Sequence, residues 1–235
     1  MKNILTIFRK ELRSYFNSPV AYIVLFVFLI ITGWFFTSSL FLGQVVTMRN
    51  VFDIIPFIFL FFIPAISMRT FSEEKKSGTI ELLLTKPISD NDIVVGKFLA
   101  ALALTGIALA FTFIYVISLT FIGKIDLGSI IGTYIGLILM SGIYIGIGIF
   151  ASSLTENQVV AFIISFLMVF ALFLLNKVLI FLPVSLASIL EYISIDYHFG
   201  NIARGVIDTR NIIYYLSGIT IFILLTRASL ERRKW

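Results

Sequence analysis

The stretch of sequence that decides the fold runs EEKKSGTIELLLTKPIS, from Glu73 to Ser89, and it lies between two long apolar runs. It begins with four charged residues, contains Gly78 and a leucine-rich face, and then meets Pro87. A loop that only joined two membrane helices could be a few polar residues, whereas this one carries its own helix start and stop signals. We therefore interpret it as a docking element for another protein.

The composition around this loop is that of a membrane protein. Of the 235 residues, 59% are hydrophobic and 13% are charged, whereas soluble domains carry about 25% charged residues. The length fits about six spans of about 20 residues each, with short connections. Because the chain has no cysteine, disulfides and thiolate metal sites are excluded. The net charge of +5 calls for no nucleic acid, since the basic residues cluster near the membrane ends.

Residues 1–18 form an amphipathic pattern ahead of the first apolar run. Ile4, Phe8, Leu12 and Phe16 recur at four-residue steps, with basic residues on the other faces. This pattern predicts an interfacial helix. It argues against a cleaved signal peptide, whose apolar region would directly follow the basic residues. Residues 19–235 are then interpreted as one membrane domain.

Six apolar runs predict an all-α polytopic membrane protein. The expected spans are residues 20–42, 53–69, 98–123, 127–155, 157–176 and 212–226. The run 178–190 is too short to cross and is interrupted by Pro183, so we predict a re-entrant or interfacial hairpin there. It belongs to an outer polar segment, 177–211.

The distribution of Lys and Arg orients the chain. Thirteen of these residues fall on the side of both termini and of the loop 69–97, and five fall on the other side. Cytoplasmic segments carry the excess of Lys and Arg, so both termini and this loop are expected in the cytoplasm.

Capping signals subdivide the loop. Thr70 followed by Glu73 predicts a capping box that starts a helix at the membrane surface, and Gly78 is expected to end that helix. Ser89 followed by Asp92 predicts another box, which starts the third span.

Between these boxes, Thr79 is expected to cap a short helix that carries the leucines and ends before Pro87. An ordinary interfacial helix lying on lipid would also explain the pattern. Two acidic residues followed by two basic ones weaken that alternative, because lipid-facing helices favour an excess of Lys and Arg. A protein partner is the better explanation.

Other polar and small residues have simpler explanations. Glycines recur at close spacing along the fourth span, and packing within the chain explains them more readily than a subunit interface does. His198 has no cluster of possible metal ligands beside it, so we predict a hydrogen-bonded loop histidine. The predicted spans contain no ionisable residue in their cores, which disfavours ion-coupled transport and membrane-embedded hydrolysis.

Three stretches resemble a known family. The loop sequence, followed by residues 93–97, closely resembles the segment after the second span in permease subunits of type-2 ABC exporters. Residues 157–163, and residues 202–210 leading into 214–216, resemble the gliding-motility-associated permease of that class. The resemblance covers nearly the whole chain. It departs at the first outer connection, residues 43–53, which is shorter than in the motility relatives.

The resemblance implies a permease half in the bacterial inner membrane that works as a dimer, with an identical or related second chain and two copies of a separate ATPase. ATP and magnesium would be bound by the ATPase, and this chain would hold no cofactor. The sequence contains no G-x-x-x-x-G-K-[ST] motif, so we do not expect an enzyme. ATP hydrolysis would drive export or motility-linked secretion, with a possible outer-domain membrane partner.

The resemblance also assigns roles to residues. The ATPase-coupling residues are Glu73, Glu74, Gly78, Thr79, Ile80, Glu81, Leu82, Leu83 and Pro87. A second ATPase contact is assigned to Glu156 and Asn157. The interface with the second permease chain is assigned to Phe162, Phe166 and Phe170. Two alternatives stay open. One is a mechanotransmission or assembly subunit that transports nothing, and the other is a passive membrane anchor whose loop binds nothing.

Overall fold

The structure, a computed structural model, describes residues 2–79, 88–178, 181–183, 190–206 and 208–231. No strand occurs among these residues. A π-helical turn at Ser38–Leu42 extends the second helix. The α-helices in chain order are α1 (Lys2–Asn17), α2 (Pro19–Thr37), α3 (Arg49–Ser67), α4 (Arg69–Lys76), α5 (Asp90–Phe111), α6 (Phe113–Ile122), α7 (Leu127–Leu154), α8 (Gln158–Val178), α9 (Ile195–Ala203) and α10 (Thr209–Glu231).

Within the described residues, six helical stretches are long and apolar enough to cross a membrane. They are Pro19–Leu42, Arg49–Lys76, Asp90–Ile122, Leu127–Leu154, Gln158–Val178 and Thr209–Glu231. Helices suit this environment because all their backbone hydrogen bonds are made within the segment. The prediction of an all-α membrane protein with six spans is therefore confirmed.

Helix α7 is the centre of the bundle. It packs against α3, α4, α5, α8, α9 and α10. In its most apolar 18-residue stretch 78% of the residues are buried, whereas the corresponding value for α10 is 11%. Its glycines admit a different partner at each level: a Cβ at Gly132 would meet the Ile202 carbonyl of α9, and one at Gly142 would meet Ile219 of α10. The glycine pattern thus serves packing within the chain, as predicted.

The bundle has two ends, which we name by their chain segments. The loop end carries α1, α4 and the described parts of the connection that follows it, residues 77–79 and 88–89. The opposite end carries the connections 43–48 and 123–126 together with α9. Helix α1, predicted from the amphipathic pattern, lies along α5 at the loop end, where Ile7 fits against Gly96.

The structure tests two predicted caps at the loop end. Helix α5 begins at Asp90, eight residues before the uncharged run 98–123, and the Ser89 hydroxyl accepts from the Asp92 amide at 3.2 Å, so Ser89 caps the start of the third span as predicted. The predicted box at Thr70 is wrong. Helix α3 passes into α4 with helical backbone at Met68, so Thr70 lies inside the first turn, and its hydroxyl donates to the Ser67 carbonyl at 2.7 Å. A cap residue would need extended backbone.

At the opposite end, the polar segment contains a helix that the sequence analysis did not predict. Helix α9 packs against α7 and α8, and Ile195 and Ile202 are buried there. The predicted hairpin at 178–190 falls mostly on residues 179–180 and 184–189, which lie outside the described residues.

Candidate functional site

Helix α4, which leads from span two into the loop, is bonded to the end of α7. The amides of Phe71 and Ser72 both donate to the Ser152 hydroxyl oxygen, each at 3.0 Å, and this hydroxyl donates to the Met68 carbonyl at 2.8 Å. A side-chain hydroxyl can satisfy backbone groups in this way where a membrane helix is interrupted. Ser152 therefore attaches the α3–α4 junction to α7.

A second attachment follows one turn further along α4. The Lys75 ammonium is buried and donates to the Ser153 carbonyl, which also accepts a 3.3 Å hydrogen bond from the Ser229 hydroxyl of α10. Adjacent residues of α7 thus hold two successive turns of α4. The connection from α7 to α8 begins directly after them.

On its other side, α4 is joined to α1 and α5 through Lys97. The side chain of Lys97 is only 1% exposed. Its ammonium donates to Glu74 Oε1 at 2.9 Å, to Glu11 Oε1 at 3.1 Å and to the Thr70 carbonyl at 2.8 Å. An ammonium group has three N–H donors, so all three are satisfied. The ion cluster, which we define as Lys10, Glu11, Glu74 and Lys97, therefore joins three helices.

Lys10 completes the ion cluster from the surface. Its ammonium lies 3.6 Å from Glu11 Oε1 and 3.8 Å from Glu74 Oε1, and its own side chain is 62% exposed. The Glu74 Oε2 atom is buried and has no hydrogen-bond partner among the described residues. Both carboxylates depend on Lys97, because losing one member of a buried pair leaves an uncompensated charge.

This role of Lys97 was not predicted, because the charge distribution assigns the residue to the loop 69–97, outside the uncharged cores of the spans. A signal was nevertheless present. The box at Ser89 places the helix start at Asp90, so Ile93, Val94 and Lys97 share one helix face by the spacing of three and four residues. Ile93 and Val94 are buried, and Lys97 is buried with them.

Four of the predicted coupling residues, Glu73, Glu74, Gly78 and Thr79, lie within the described residues. Glu73 is partly exposed and pairs with Arg69 at 2.8 Å, whereas Glu74 already belongs to the ion cluster. Gly78 follows the end of α4 with φ +70°, a conformation that favours glycine, and the Thr79 hydroxyl lies 2.8 Å from that of Ser77. The remaining predicted residues lie outside the described residues: Ile80, Glu81, Leu82, Leu83 and Pro87.

The second predicted contact is at the same end of the bundle. Glu156 and Asn157 are exposed in the turn between α7 and α8, and the Asn157 side-chain oxygen accepts from the Val159 amide at 2.9 Å. This turn comes directly after Ser152 and Ser153. The structure thus links the two predicted contact regions through α4.

The phenylalanine stripe of α8 is half-buried. Phe166 stacks on Phe162 and Phe170, with ring centroids 6.3 and 5.5 Å away, and also lies 5.0 Å from Phe61 of α3. Ile163 and Leu167 on the adjacent face are 48% and 56% exposed. Part of the stripe therefore packs within the chain, and the neighbouring face is the more open one.

His198 is satisfied within the chain, as predicted, although it lies on helix α9 rather than in a loop. Its Nδ1 is 2.7 Å from Asn211 Oδ1, and its Nε2 is 3.0 Å from the Tyr192 carbonyl. The ring stacks on Tyr214 with centroids 3.9 Å apart. Across the described ranges, no three His, Cys, Asp or Glu side chains are grouped as a metal site would require.

The chain has six membrane-spanning stretches among its described residues, and hydrogen bonds hold α4, the last part of the second stretch, against α7 and α5. These features define a polytopic membrane protein with a structured segment at one end. A family model described as ABC-2 family transporter protein matches residues 5–235. The chain belongs to this family of ABC transporter membrane proteins. No curated protein matches it.

Proposed function

We propose that this chain is the permease subunit of an ABC transporter in the bacterial inner membrane, and that a separate ATPase docks on the loop between α4 and α5. The family membership supports a membrane component of such a transporter. The observation that carries the coupling proposal is the attachment of α4 on two sides, to α7 through Ser152 and Ser153 and to α1 and α5 through Lys97. The partner ATPase binds ATP and magnesium and hydrolyses the ATP.

In this proposal, displacement of the loop moves a connected unit. Helix α4 continues span two through Met68, so a force on residues 77–89 reaches α3 directly. The ion cluster passes it to α1 and α5, and Ser152 and Ser153 pass it to α7. Packed helices with specific hydrogen bonds respond as rigid bodies, so movement at the loop is transmitted rather than absorbed locally. The exposed turn at Glu156 and Asn157 provides the second contact.

The loop contact is tested by reversing its charge and polarity. Glu81→Lys together with Leu83→Asp should leave membrane insertion intact and abolish copurification of the ATPase, because a buried charge and a reversed charge oppose docking in an apolar groove. The matched control is Asp208→Lys with Val206→Asp, two exposed positions at the opposite end. Retention of stoichiometric ATPase by the loop variant would contradict the proposal.

The orientation is tested by labelling single cysteines, since the chain has none of its own. Val206 is 67% exposed at the opposite end, and Ala228 is exposed near the loop end of α10. Val206→Cys should react in intact cells, and Ala228→Cys only after permeabilisation. Ser194 is a poor labelling position because it is fully buried. The reverse pattern would invert the proposed topology.

The functional unit in this proposal contains two permease chains, identical or related, which meet through α2 and α8. Both helices leave apolar faces exposed, because only 28% of the residues in the most apolar stretch of α2 and 17% of those in α8 are buried. A cysteine at Ile163 should crosslink to its copy more efficiently than one at Phe166, which is partly covered by Phe61. Purified complexes that contain one permease chain, by mass measurement, would overturn the dimer.

The finer assignment to motility-linked secretion rests on the sequence resemblance at residues 157–163 and 202–210. Neighbouring reading frames test it. A gene for an ATPase with Walker motifs beside this one would support the transporter, and a gene for a membrane protein with a large outer domain would support the motility link and an outer partner. Neighbouring genes that encode neither protein would argue against the motility assignment.

A further inference from the structure

We propose that the opposite end of the bundle holds a binding site for the phosphate headgroup of an anionic phospholipid. The site is a cavity of about 760 Å³ where three separate stretches of the chain converge. They are the connection into α3 at residues 46–53, the connection into α7 at 124–133, and the last turn of α9 at 199–204. This inference does not depend on ATPase coupling.

Charge around this cavity favours an anion. Three cations line it, Arg49, Lys124 and Arg204, together with the carboxylates Asp53 and Asp126. Asp126 is engaged, because its Oδ1 accepts from the Gly128 amide at 3.0 Å and the Ser129 amide at 3.3 Å at the start of α7. A carboxylate that caps a helix N-terminus is stabilised there and is less available to neutralise a cation.

Two of the three cations have no counter-ion in the part of the chain that the structure describes. Asp53 lies 4.0 Å from Arg49 on the next turn of α3, whereas Lys124 and Arg204 form no ion pair with any described residue. Both side chains are exposed and come from different segments, so an anion can be contacted from two sides. Phosphate oxygens suit such paired donors.

The inner lining of the cavity is apolar. Phe52 and Ile130 are buried in the core, and the partly buried Phe199 packs against that core. The polar hydroxyl of Ser129 is already used, since it donates to the Ala203 carbonyl at 2.7 Å. A cationic mouth over an apolar lining is complementary to an amphiphile whose charged group adjoins a hydrocarbon portion.

The surroundings of the cavity point to lipid rather than to a soluble phosphate. Large apolar side chains next to its lining in sequence are strongly exposed: Leu42 is 82%, Val45 is 52%, Phe121 is 85% and Ile122 is 54% exposed. The two segments touch, because a Cβ at Gly123 would lie 3.1 Å from Val46. These side chains form the membrane-facing rim of the cavity, so acyl chains can remain in the bilayer while the headgroup reaches Lys124 and Arg204.

The chain offers a matched pair of variants for the test. Lys124 lines this cavity, whereas Arg210 lines a second cavity beside α9, and both side chains are exposed at the same end. Affinity of the detergent-purified protein for phosphatidylglycerol, phosphatidylcholine and glycerol phosphate is measured by native mass spectrometry and by thermal stabilisation. Lys124→Gln should weaken phosphatidylglycerol binding about fivefold, the effect of one cation near an anionic lipid, and Arg210→Gln should not.

Each outcome decides a different part of the proposal. Preferential binding of phosphatidylglycerol over phosphatidylcholine, weakened by Lys124→Gln alone, supports the site. Equal binding of glycerol phosphate with the same dependence on Lys124 would keep the phosphate chemistry and overturn the lipid source. Equal loss in Lys124→Gln and Arg210→Gln, or no loss in either, would overturn the site, since attraction would then come from general surface charge.

Discussion

The two ends of the bundle use basic residues in opposite ways. At the loop end, Lys97 is 1% exposed and is held by two carboxylates and a carbonyl. At the opposite end, Lys124 and Arg204 stay exposed around an open cavity. The difference shows that a count of charges on each side predicts orientation but not role, because role depends on which cations the helices bury.

The two ends also differ in how their short helices are attached. Helix α4 is held by hydrogen bonds to Ser152 and Ser153 and by the ion cluster, all of which require specific partners. Helix α9 is held by close packing, with Ile202 and Phe199 against glycines of α7, and by neutral hydrogen bonds such as that from Ser129 to the Ala203 carbonyl. The charged attachment at one end and the close backbone packing at the other should respond to different substitutions.

The largest effect is expected from Lys97→Met, which removes the central cation but keeps the length of the side chain. Glu11 and Glu74, whose side chains are 15% exposed, would then keep Lys10 as their cationic partner. Breaking a buried ion pair from one side typically costs about 3 to 5 kcal/mol. We expect a loss of that order in the free energy of unfolding of the detergent-purified protein, together with protease cleavage between α1 and α2.

A triple variant shows whether charge itself is needed at this place. Lys97→Met with Glu11→Gln and Glu74→Gln removes the uncompensated charges, and it should recover most of the lost stability. Measured ATP-dependent activity should stay low if the ion cluster transmits movement, and it should return with stability if the cluster only supports folding. A Lys97→Met protein as stable as the parent would show that the cluster is not a strong attachment.

A smaller effect at the loop end is expected from Ser152→Ala. The amides of Phe71 and Ser72 would lose the oxygen that accepts from them, and leaving a buried polar group unpaired costs about 1 to 3 kcal/mol. Ser153→Ala is the control, because its hydroxyl bonds only to Phe150 of its own helix while its carbonyl, which Lys75 uses, is retained. Hydrogen exchange of α4 should increase in the first variant only, and equal exchange in both would contradict this attachment.

How far the sequence predicts this structure depends on which interactions define each element. The six spans follow from length and hydropathy, which are local properties, and the box at Ser89 follows from local capping. Burial of Lys97 depends on Glu11 and Glu74, which are 86 and 23 residues away in the chain. The helix face that Lys97 shares with Ile93 and Val94 is a local pattern, but no local pattern identifies the two distant carboxylates that accept from its ammonium.

Helix α9 shows a second reason for failure. Its sequence, IDYHFGNIA, is short and mixes polar with apolar residues, so its own pattern is weak. Isolated helices of this length are marginal in water, and tertiary packing is what stabilises them. That packing comes from glycines of α7 that allow the Ile202 backbone to approach closely. The glycines were recognised in the sequence, but the helix that uses them was not.

At the opposite end, Gly132→Ala should loosen α9. The added Cβ would meet the Ile202 carbonyl and the Gly205 backbone, neither of which can rotate away, and overpacking of this kind costs about 1 to 3 kcal/mol. Gly106→Ala is the control, because a Cβ there meets nothing within 4 Å and alanine favours the helix by up to about 1 kcal/mol. Unfolding midpoints should move in opposite directions, and a shared direction would refute the steric account of α9.

The smallest effect concerns the pH dependence of α9 at Asp196. Burial raises the pKa of the Asp196 carboxyl, while the nearby Lys177 ammonium and a hydrogen bond with Asn176 partly oppose the rise. The folded protein therefore holds this proton more tightly than the unfolded chain does. The resulting stabilisation is fully present below the ordinary pKa of aspartate and is lost as the pH rises through the raised value.

Asp196→Asn should remove this component from unfolding midpoints measured between about pH 4 and about pH 8. Asp53→Asn, at an exposed position of the same end, should leave it in place. An unchanged pH profile in Asp196→Asn would mean that α9 docks independently of this proton.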